Sequence, residues 1–369
     1  MRFIFFTKTL WKDIPRIRHQ TALMLARRGH NVVFFEKNRF IGPCTSTRKD
    51  DLEFRRIGEL FHHQLRPLPW LSSVNAFWEA LQIRHLYERG WKDSVVLNFN
   101  YDYWFLRGLF PDNVIITLIN DDFIAGAKWY MKKEATRVLS LTLKMSDHVL
   151  AVSYPLLSQA AAHAVSASLF LPWARNKYKT PPFTGERTDI IFWGSIYENQ
   201  NYQAIRFMLQ SGVRIHFVGP IHHSREISQI LTMPGAVYHG VHPLASLQPI
   251  LERCCCAILP YDPSSLNGMF NAVTINNRAF ELLSYGLPLL YSALPALIEA
   301  PAEVIMPCRL NEDYLAGYLS SRKEFYQRQK SIEDFLDGHY EEDRYNVFME
   351  CVQAKLDRRN PIIRRSVKN

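Results

Sequence analysis

Thr274-Ile275-Asn276-Asn277-Arg278-Ala279-Phe280-Glu281-Leu282-Leu283-Ser284-Tyr285-Gly286-Leu287-Pro288-Leu289-Leu290 is the stretch from which the rest of the chain can be read. Polar turn residues lead into a short helix, Gly286 stops it, Pro288 follows, and an apolar strand resumes. Arg278 and Glu281 stand three residues apart and share one helical face. A helix beginning near Asn276 turns its amides and positive dipole end toward whatever lies before it, which suits an anion. With Arg278 on a phosphate and Glu281 on sugar or ribose hydroxyls, the stretch has the chemistry of a sugar-nucleotide holder. An ordinary helix-to-strand connection with an exposed Arg/Glu pair fits the same residues, and the surroundings must decide.

Those surroundings are strand–helix alternations. Upstream, Phe3 to Phe6, a loop from Thr7 to Pro15, a helical pattern from Arg16 to Arg28, Gly29 and the run Val32 to Glu36 open a doubly wound parallel sheet. The loop Thr7 to Asp13 falls at the carboxyl end of the first strand, where such sheets meet ligands, and it lacks the GxGxxG dinucleotide fingerprint. Val95 to Phe99 leads into an aromatic loop containing Tyr101. Val114 to Ile119 ends in Asn120-Asp121-Asp122, two carboxylates at a strand end, where one can act as a general base. Asp122 can also cap a helix expected from Ala125. Ser146 to Ser153 closes this series. Residues 172 to 189 have linker composition, and Ile190 to Trp193, then Gly194-Ser195, begin a second series of strands. It continues through Ile215 to Gly219, Val237 to Gly240 and Cys254 to Pro260 into the opening stretch. Tyr340 to Leu356 reads as a long closing helix.

The totals bound the function. At 369 residues with 47% apolar and 21% charged side chains, the chain has core enough for about two domains. No apolar run reaches the roughly 18 residues that span a bilayer, and no leader pattern opens the sequence, so a cytoplasmic protein is expected. Six cysteines, three of them consecutive at Cys254 to Cys256, make neither a metal pair nor a disulfide framework; the triplet reads as a buried strand. His62, His63 and His85 read as surface histidines, with no metal expected. Residues 1–175 hold 24 Lys+Arg against 15 Asp+Glu, whereas the remainder balances at 20 each. A basic first half suits an extended anionic partner. No zinc-finger, RNP or basic-helix pattern supports nucleic acid, which leaves an anionic membrane surface or a phosphate-bearing lipid. Residues 60 to 92 mix Trp70, Phe77, Trp78 and Trp91 with histidines and arginines. They fit one or two amphipathic helices lying in a membrane interface, or a core-facing helix pair whose polar face is basic.

With these pieces in order, the chain resembles the GT-B glycosyltransferases that build bacterial cell-surface polysaccharides. Ile275 to Leu290 is similar to that family's N-P-x-K-x-F-E-Y-L-A-x-G-x-P-V-V motif, with Phe280, Glu281, Gly286 and Pro288 in place and Arg278 where Lys is usual. The Asn-Pro opening is absent, and Val273 stands where the fuller motif has its first Glu. Phe192 to Ile196, Val237 to Gly240 and Ala257 to Tyr261 look like the family's donor-domain strands. Trp11, Arg16, His19 and Leu23 to His30 resemble the opening of the teichuronic-acid and xanthan glucuronosyltransferase type, and Asp121-Asp122 falls on its acidic pair.

The resemblance implies an α/β chain of two Rossmann-like, doubly wound domains facing a central cleft: 1–175 for the acceptor, 176–338 for the nucleotide sugar, and 339–369 as a helix returning to the first. It implies a metal-independent transferase with no cofactor beyond its UDP- or GDP-sugar substrate. Glu281, Arg278, Gly194, Ser195, Tyr261, Asn276, Asn277 and Phe280 are the expected donor contacts. Asp122, then Asp121, is the expected base if the reaction inverts, and Trp11, Asp13, Arg16, His19 and Tyr101 face the acceptor. A polyprenyl-diphosphate-linked glycan at the inner membrane face is the implied acceptor. A nucleotide-sugar epimerase or hydrolase, or a non-catalytic assembly protein of the same fold, are the competing readings.

Overall fold

A computed structural model describes residues 1–13, 16–38, 45–49, 52–61, 65, 68–179, 187–197, 200–222, 224–262, 277–291, 300–307 and 322–359. The chain divides into two units, Met1–Leu171 with Glu342–Asn369, and Pro172–Glu341.

The first unit runs β1 (Arg2–Phe6), α1 (Ile17–Ala26), β2 (Asn31–Asn38), β3 (Thr45–Lys49), β4 (Leu52–Gly58), α2 (Pro69–His85), β5 (Val95–Asn98), α3 (Leu106–Leu109), β6 (Ile115–Ile119), α4 (Lys132–Met145), β7 (His148–Ala151), α5 (Tyr154–Ala161) and β8 (Ala167–Leu169). Its eight strands lie in the order β3-β4-β2-β1-β5-β6-β7-β8. Only β3 is antiparallel to its neighbour. A parallel sheet covered on both faces needs strands apolar throughout, and Phe3 to Phe6 are fully buried. Register sets Phe5 beside Phe34 and Phe6 beside Phe35, so aromatic pairs at 5.9 and 4.7 Å form on opposite faces of the same two strands.

The second unit holds β9 (Asp189–Trp193), α6 (Tyr202–Gln210), β10 (Ile215–Val218), α7 (Arg225–Leu231), β11 (Ala236–Tyr238), α8 (Gln248–Leu251), β12 (Cys254–Leu259), α9 (Asn277–Ser284), β13 (Leu289–Tyr291), β14 (Ile305–Pro307) and α10 (Arg322–Leu336). Its sheet is parallel in the order β11-β10-β9-β12-β13-β14. The cysteine triplet is strand β12, as expected from its small apolar side chains. In each sheet the strand order reverses at one place, between β1 and β5 and between β9 and β12, which is where open α/β sheets leave a crevice at their carboxyl ends.

Three expectations need correction. The helix expected from Ala125 begins at Lys132, because Asp122 caps a turn instead: its Oδ1 accepts the amides of Ile124 and Ala125 at 3.1 and 2.9 Å. The linker composition from 172 conceals packed residues. Trp173 and Ala174 are fully buried, and Ala174 bridges Tyr340. Among the described residues, the segment 60–92 contains one long helix, α2, with a 3-10 turn at Arg89–Trp91, in place of the core-facing helix pair. His62 and His63 lie outside the described residues, and His85 is exposed.

The last helix, α11 (Glu341–Arg359), packs on the first unit. Phe348 touches Phe3 and Phe170, Tyr345 meets His30, and Arg359 reaches Asp147 at 2.7 Å. Burial alone would raise the Asp147 carboxyl, but the Ile115 amide, Arg107 and Arg359 outweigh it and hold it below the ordinary range. His148 beside it bridges the hydroxyls of Ser166 and Ser168, each at 2.8 Å. Burial, with help from Lys355 and Arg358, pushes its imidazolium down to about 4. The native state therefore keeps this ring neutral, while an unfolded chain protonates it near 6.5. Stability from this residue is complete above pH 6.5 and drains away as pH falls toward 4. Urea titrations across that window are expected to show His148→Gln flattening the acid side of the curve; an unchanged slope would remove His148 from the account.

Candidate functional site

Strand β9 ends at Trp193, and Gly194 follows with φ +142°. A Cβ there would fall 1.5 Å from Nη1 of Arg278, so only glycine lets that guanidinium lie across the strand end. Arg278 donates from Nη1 to the Trp193 carbonyl at 3.2 Å and from Nη2 to the Tyr261 hydroxyl at 2.6 Å. Tyr261, just past β12, is buried and meets Tyr291 edge-on at 5.9 Å. Burial, then the neighbouring Tyr261, raises the Tyr291 phenol far above its ordinary value. Gly219, past β10, has φ +140°, and a Cβ on it would strike the Gly194 carbonyl at 2.0 Å. The ends of β9, β10 and β12 thus converge under one arginine at the place where the strand order turns.

Glu281 has a partner of its own. It is 2% exposed and pairs with Arg175, whose Nε donates to Oε1. Burial raises its pKa, and Arg175 pulls it partly back. The exposed Arg278/Glu281 pair allowed by the sequence does not form, since each side chain has a partner remote in sequence. Ser195 is buried behind Gly194. Phe280 is fully buried against Phe335 and His339 and packs the helix. Asn277 opens α9, where the amide dipoles leave partial positive charge; Asn276 lies outside the described residues.

In the first unit, the loops after β1, β5 and β6 meet. Lys8 pairs with Asp102 and lies over the Tyr101 ring at 5.1 Å, and Tyr101 stacks on Phe123 at 4.9 Å. Asp121 accepts the Asp122 amide at 3.0 Å and feels the charges of Arg16 and Arg18. Burial is the larger influence and raises the Asp121 carboxyl. Arg18 is itself buried, donates to the Thr9 hydroxyl at 2.6 Å, and is pushed down to about 9 by burial and by Arg16. His19 spends both ring nitrogens on the loop: Nδ1 accepts the Arg16 amide at 3.0 Å and Nε2 donates to the Leu10 carbonyl at 3.1 Å. Burial lowers its pKa, so the ring stays neutral and acts as a strut. Trp11 packs on His19, Phe34 and Phe54, and its amide binds Glu36 at 2.8 Å. Asp13 closes its own turn by accepting the Leu10 amide at 3.0 Å.

Sequence reasoning missed Lys8, Arg18 and Arg175. A signal existed for Arg18: the first turn of α1 contains no acid and follows Arg16, charges opposed to the helix dipole. None existed for Arg175, whose partner lies on a different element.

No protein-family model matches the chain, and no curated protein does. Solved structures do. A trehalose-6-phosphate structure from E. coli bound with UDP-2-fluoro glucose superposes with a TM-score of 0.66 at 12% identity, covering 95% of this chain and 99% of that one. The α,α-trehalose-phosphate synthase (UDP-forming) of Burkholderia vietnamiensis gives 0.65 at 11%, covering 96% and 100%. Sucrose-phosphate synthase of Thermosynechococcus elongatus gives 0.68 at 12%, covering 96% and 98%. At such identities the likeness establishes architecture: the chain has the GT-B fold, two Rossmann-like α/β units with parallel sheets.

Proposed function

We propose that the chain is a glycosyltransferase moving a sugar from a nucleotide-sugar donor to an acceptor glycan. The observation that carries this is Arg278, laid over Gly194 and fixed by Tyr261 at the strand reversal of the second unit. A held guanidinium beside the start of α9 is placed to meet a diphosphate and the charge that grows on it as the sugar leaves. Glu281, with Arg175 beside it, takes donor hydroxyls. A UDP-sugar is the donor to try first, since one of the similar structures was solved with a UDP-sugar analogue.

In the first unit the acid–base roles divide between the carboxylates. Asp122 is committed to its turn, whereas burial raises Asp121. Asp121, with one oxygen on the Asp122 amide and the other left for the acceptor, takes the acceptor proton if the reaction inverts, and orients the acceptor if it retains. Arg16, Arg18 and Lys8 give that neighbourhood the positive character that an acceptor diphosphate requires. A lipid-linked glycan at the inner face of the cell membrane is the acceptor class that fits the basic first half best.

The test is turnover of a panel of nucleotide sugars, with and without membrane extract. Transfer that needs the extract and falls at least about 100-fold in Arg278→Ala is expected. Donor hydrolysis or epimerisation without any acceptor would favour the competing enzyme reading. No turnover of any donor, with Asp121→Asn and Glu281→Ala indistinguishable from wild type in cells, would sink both.

A further inference from the structure

Helix α2 buries a row of polar side chains alongside its apolar Leu71, Ala76 and Ile83. Asn75, Glu79, Ser72 and Gln82 face the interior of the first unit and are buried. Each has work there. The Ser72 hydroxyl donates to Glu134 at 2.5 Å, and Asn75 accepts the Phe61 amide at 3.1 Å. Glu79 pairs with Lys37 at 2.6 Å, and Gln82 both accepts from and donates to the backbone of Gly58. On the opposite side stand Trp70, Val74, Phe77 and Leu81, spaced four, three and four apart and so aligned on one face. Trp70 and Phe77 are each 67% exposed.

The Ser72–Glu134 bond brings the start of α4 to the start of α2. There Trp129 is 85% exposed and Tyr130 lies next to it. Lys128, Lys132 and Lys133 surround them, all exposed, and Lys128 reaches over the Tyr130 ring at 6.0 Å. Beyond the other end of the stripe are exposed Arg84, His85 and Arg89. The carboxylates of α2 and of the first turn of α4, Glu79 and Glu134, are both buried. Among the described residues no helix is long and apolar enough to cross a membrane.

We propose that this face docks on an anionic lipid bilayer, with the α2 stripe inserted at the depth of the upper acyl chains. Trp129 and Tyr130 then lie at headgroup level, and the lysines meet lipid phosphates. Charge decides for lipid over a protein partner. Exposed lysines ringing aromatic side chains match an anionic headgroup layer, whereas lysine is depleted at protein–protein contacts. The exposed stripe of α2 agrees, because Trp70, Val74, Phe77 and Leu81 place apolar surface outward where an apolar medium would receive it. This proposal deepens the lipid-linked acceptor reading, on which its purpose rests, but its physical test is separate.

That test is co-sedimentation of the full chain with phosphatidylcholine vesicles, with and without phosphatidylglycerol, at low and raised salt. Expected is binding that needs phosphatidylglycerol, weakens with salt, and falls at least about tenfold in Trp70→Ser/Phe77→Ser. Lys128→Gln/Lys132→Gln/Lys133→Gln should erase the anionic preference. Circular dichroism checks that these exposed substitutions leave the fold intact. Should they not, wild type answers alone: brominated lipid should quench its fluorescence, and Trp70→Phe/Trp129→Phe should lose that quenching. Binding that ignores the stripe variants, absent quenching, or a dimer that dissolves in Trp70→Ser/Phe77→Ser would each overturn the proposal. UDP titration in parallel separates the two readings. Vesicle binding without UDP binding leaves this surface standing and the donor site fallen; the reverse result does the opposite.

Discussion

Gly194→Ala is expected to lower donor binding and transfer by about 100-fold or more, the scale seen when a charge-stabilising donor is removed. Alanine at φ +142° is strained, a cost of roughly 1–3 kcal/mol. The greater harm is local. The new methyl would occupy the position of the Arg278 Nη1 atom, so the guanidinium must swing off the Trp193 carbonyl and the Tyr261 hydroxyl. Calorimetric titration with UDP, beside a thermal melt, separates the two effects. Strain alone lowers the melting temperature and spares affinity; loss of the arginine's seat lowers affinity in protein that is still folded. Arg278→Ala in the Gly194→Ala background should then add little, because the two changes remove the same interaction. Additive losses would show that Arg278 does not act through this seat.

The second large effect concerns stability. Lys37 on β2 sits between Glu79 of α2, at 2.6 Å, and Glu59, at 3.4 Å, with all three side chains nearly or fully buried. Lys37→Met keeps the volume and removes the cation, leaving two carboxylates facing each other away from water. Breaking a buried pair in this way costs about 3–5 kcal/mol. Urea unfolding should register that loss. Lys37→Met/Glu79→Leu should recover much of it, because an apolar pair of similar size replaces a desolvated one. A Lys37→Met protein as stable as wild type would mean that water reaches the cluster.

Most strands could be read from apolar runs, because a parallel sheet covered on both faces needs them: Phe3 to Phe6, Val95 to Asn98 and Ile190 to Trp193 announce themselves. Thr45–Lys49 does not, since the run Thr-Ser-Thr-Arg-Lys carries no apolar signal. Helical periodicity located α2 but could not tell which face turns inward. The same spacing describes a helix read from either side, and here partners on β2, on α4 and at Gly58 draw Ser72, Glu79 and Gln82 inward beside Leu71, Ala76 and Ile83. The opening stretch gave the positions of Arg278 and Glu281, while their partners, Trp193, Tyr261 and Arg175, come from elements far away in sequence. Pairings of that kind follow from the strand order and not from local spacing. The sequence put Asp122 ahead of Asp121 as the base; in the structure Asp122 accepts the amides of Ile124 and Ala125, while Asp121 accepts that of Asp122 and is raised by burial.

The return of α11 to the first unit bears on the order in which the protein is made. Phe3 of the first strand finds Phe348, Arg28 finds Glu342 and His30 finds Tyr345 only after the whole second unit between them has left the ribosome. The second unit, Pro172–Glu341, has all its residues in hand sooner. Synthesis from the N-terminus ordinarily lets the leading domain finish first; here the leading unit must wait for the trailing helix. Until then the faces of Phe3 and Phe170 that receive Phe348 stay bare, and a chaperone that binds nascent apolar surface has its longest opportunity at the amino-terminal half.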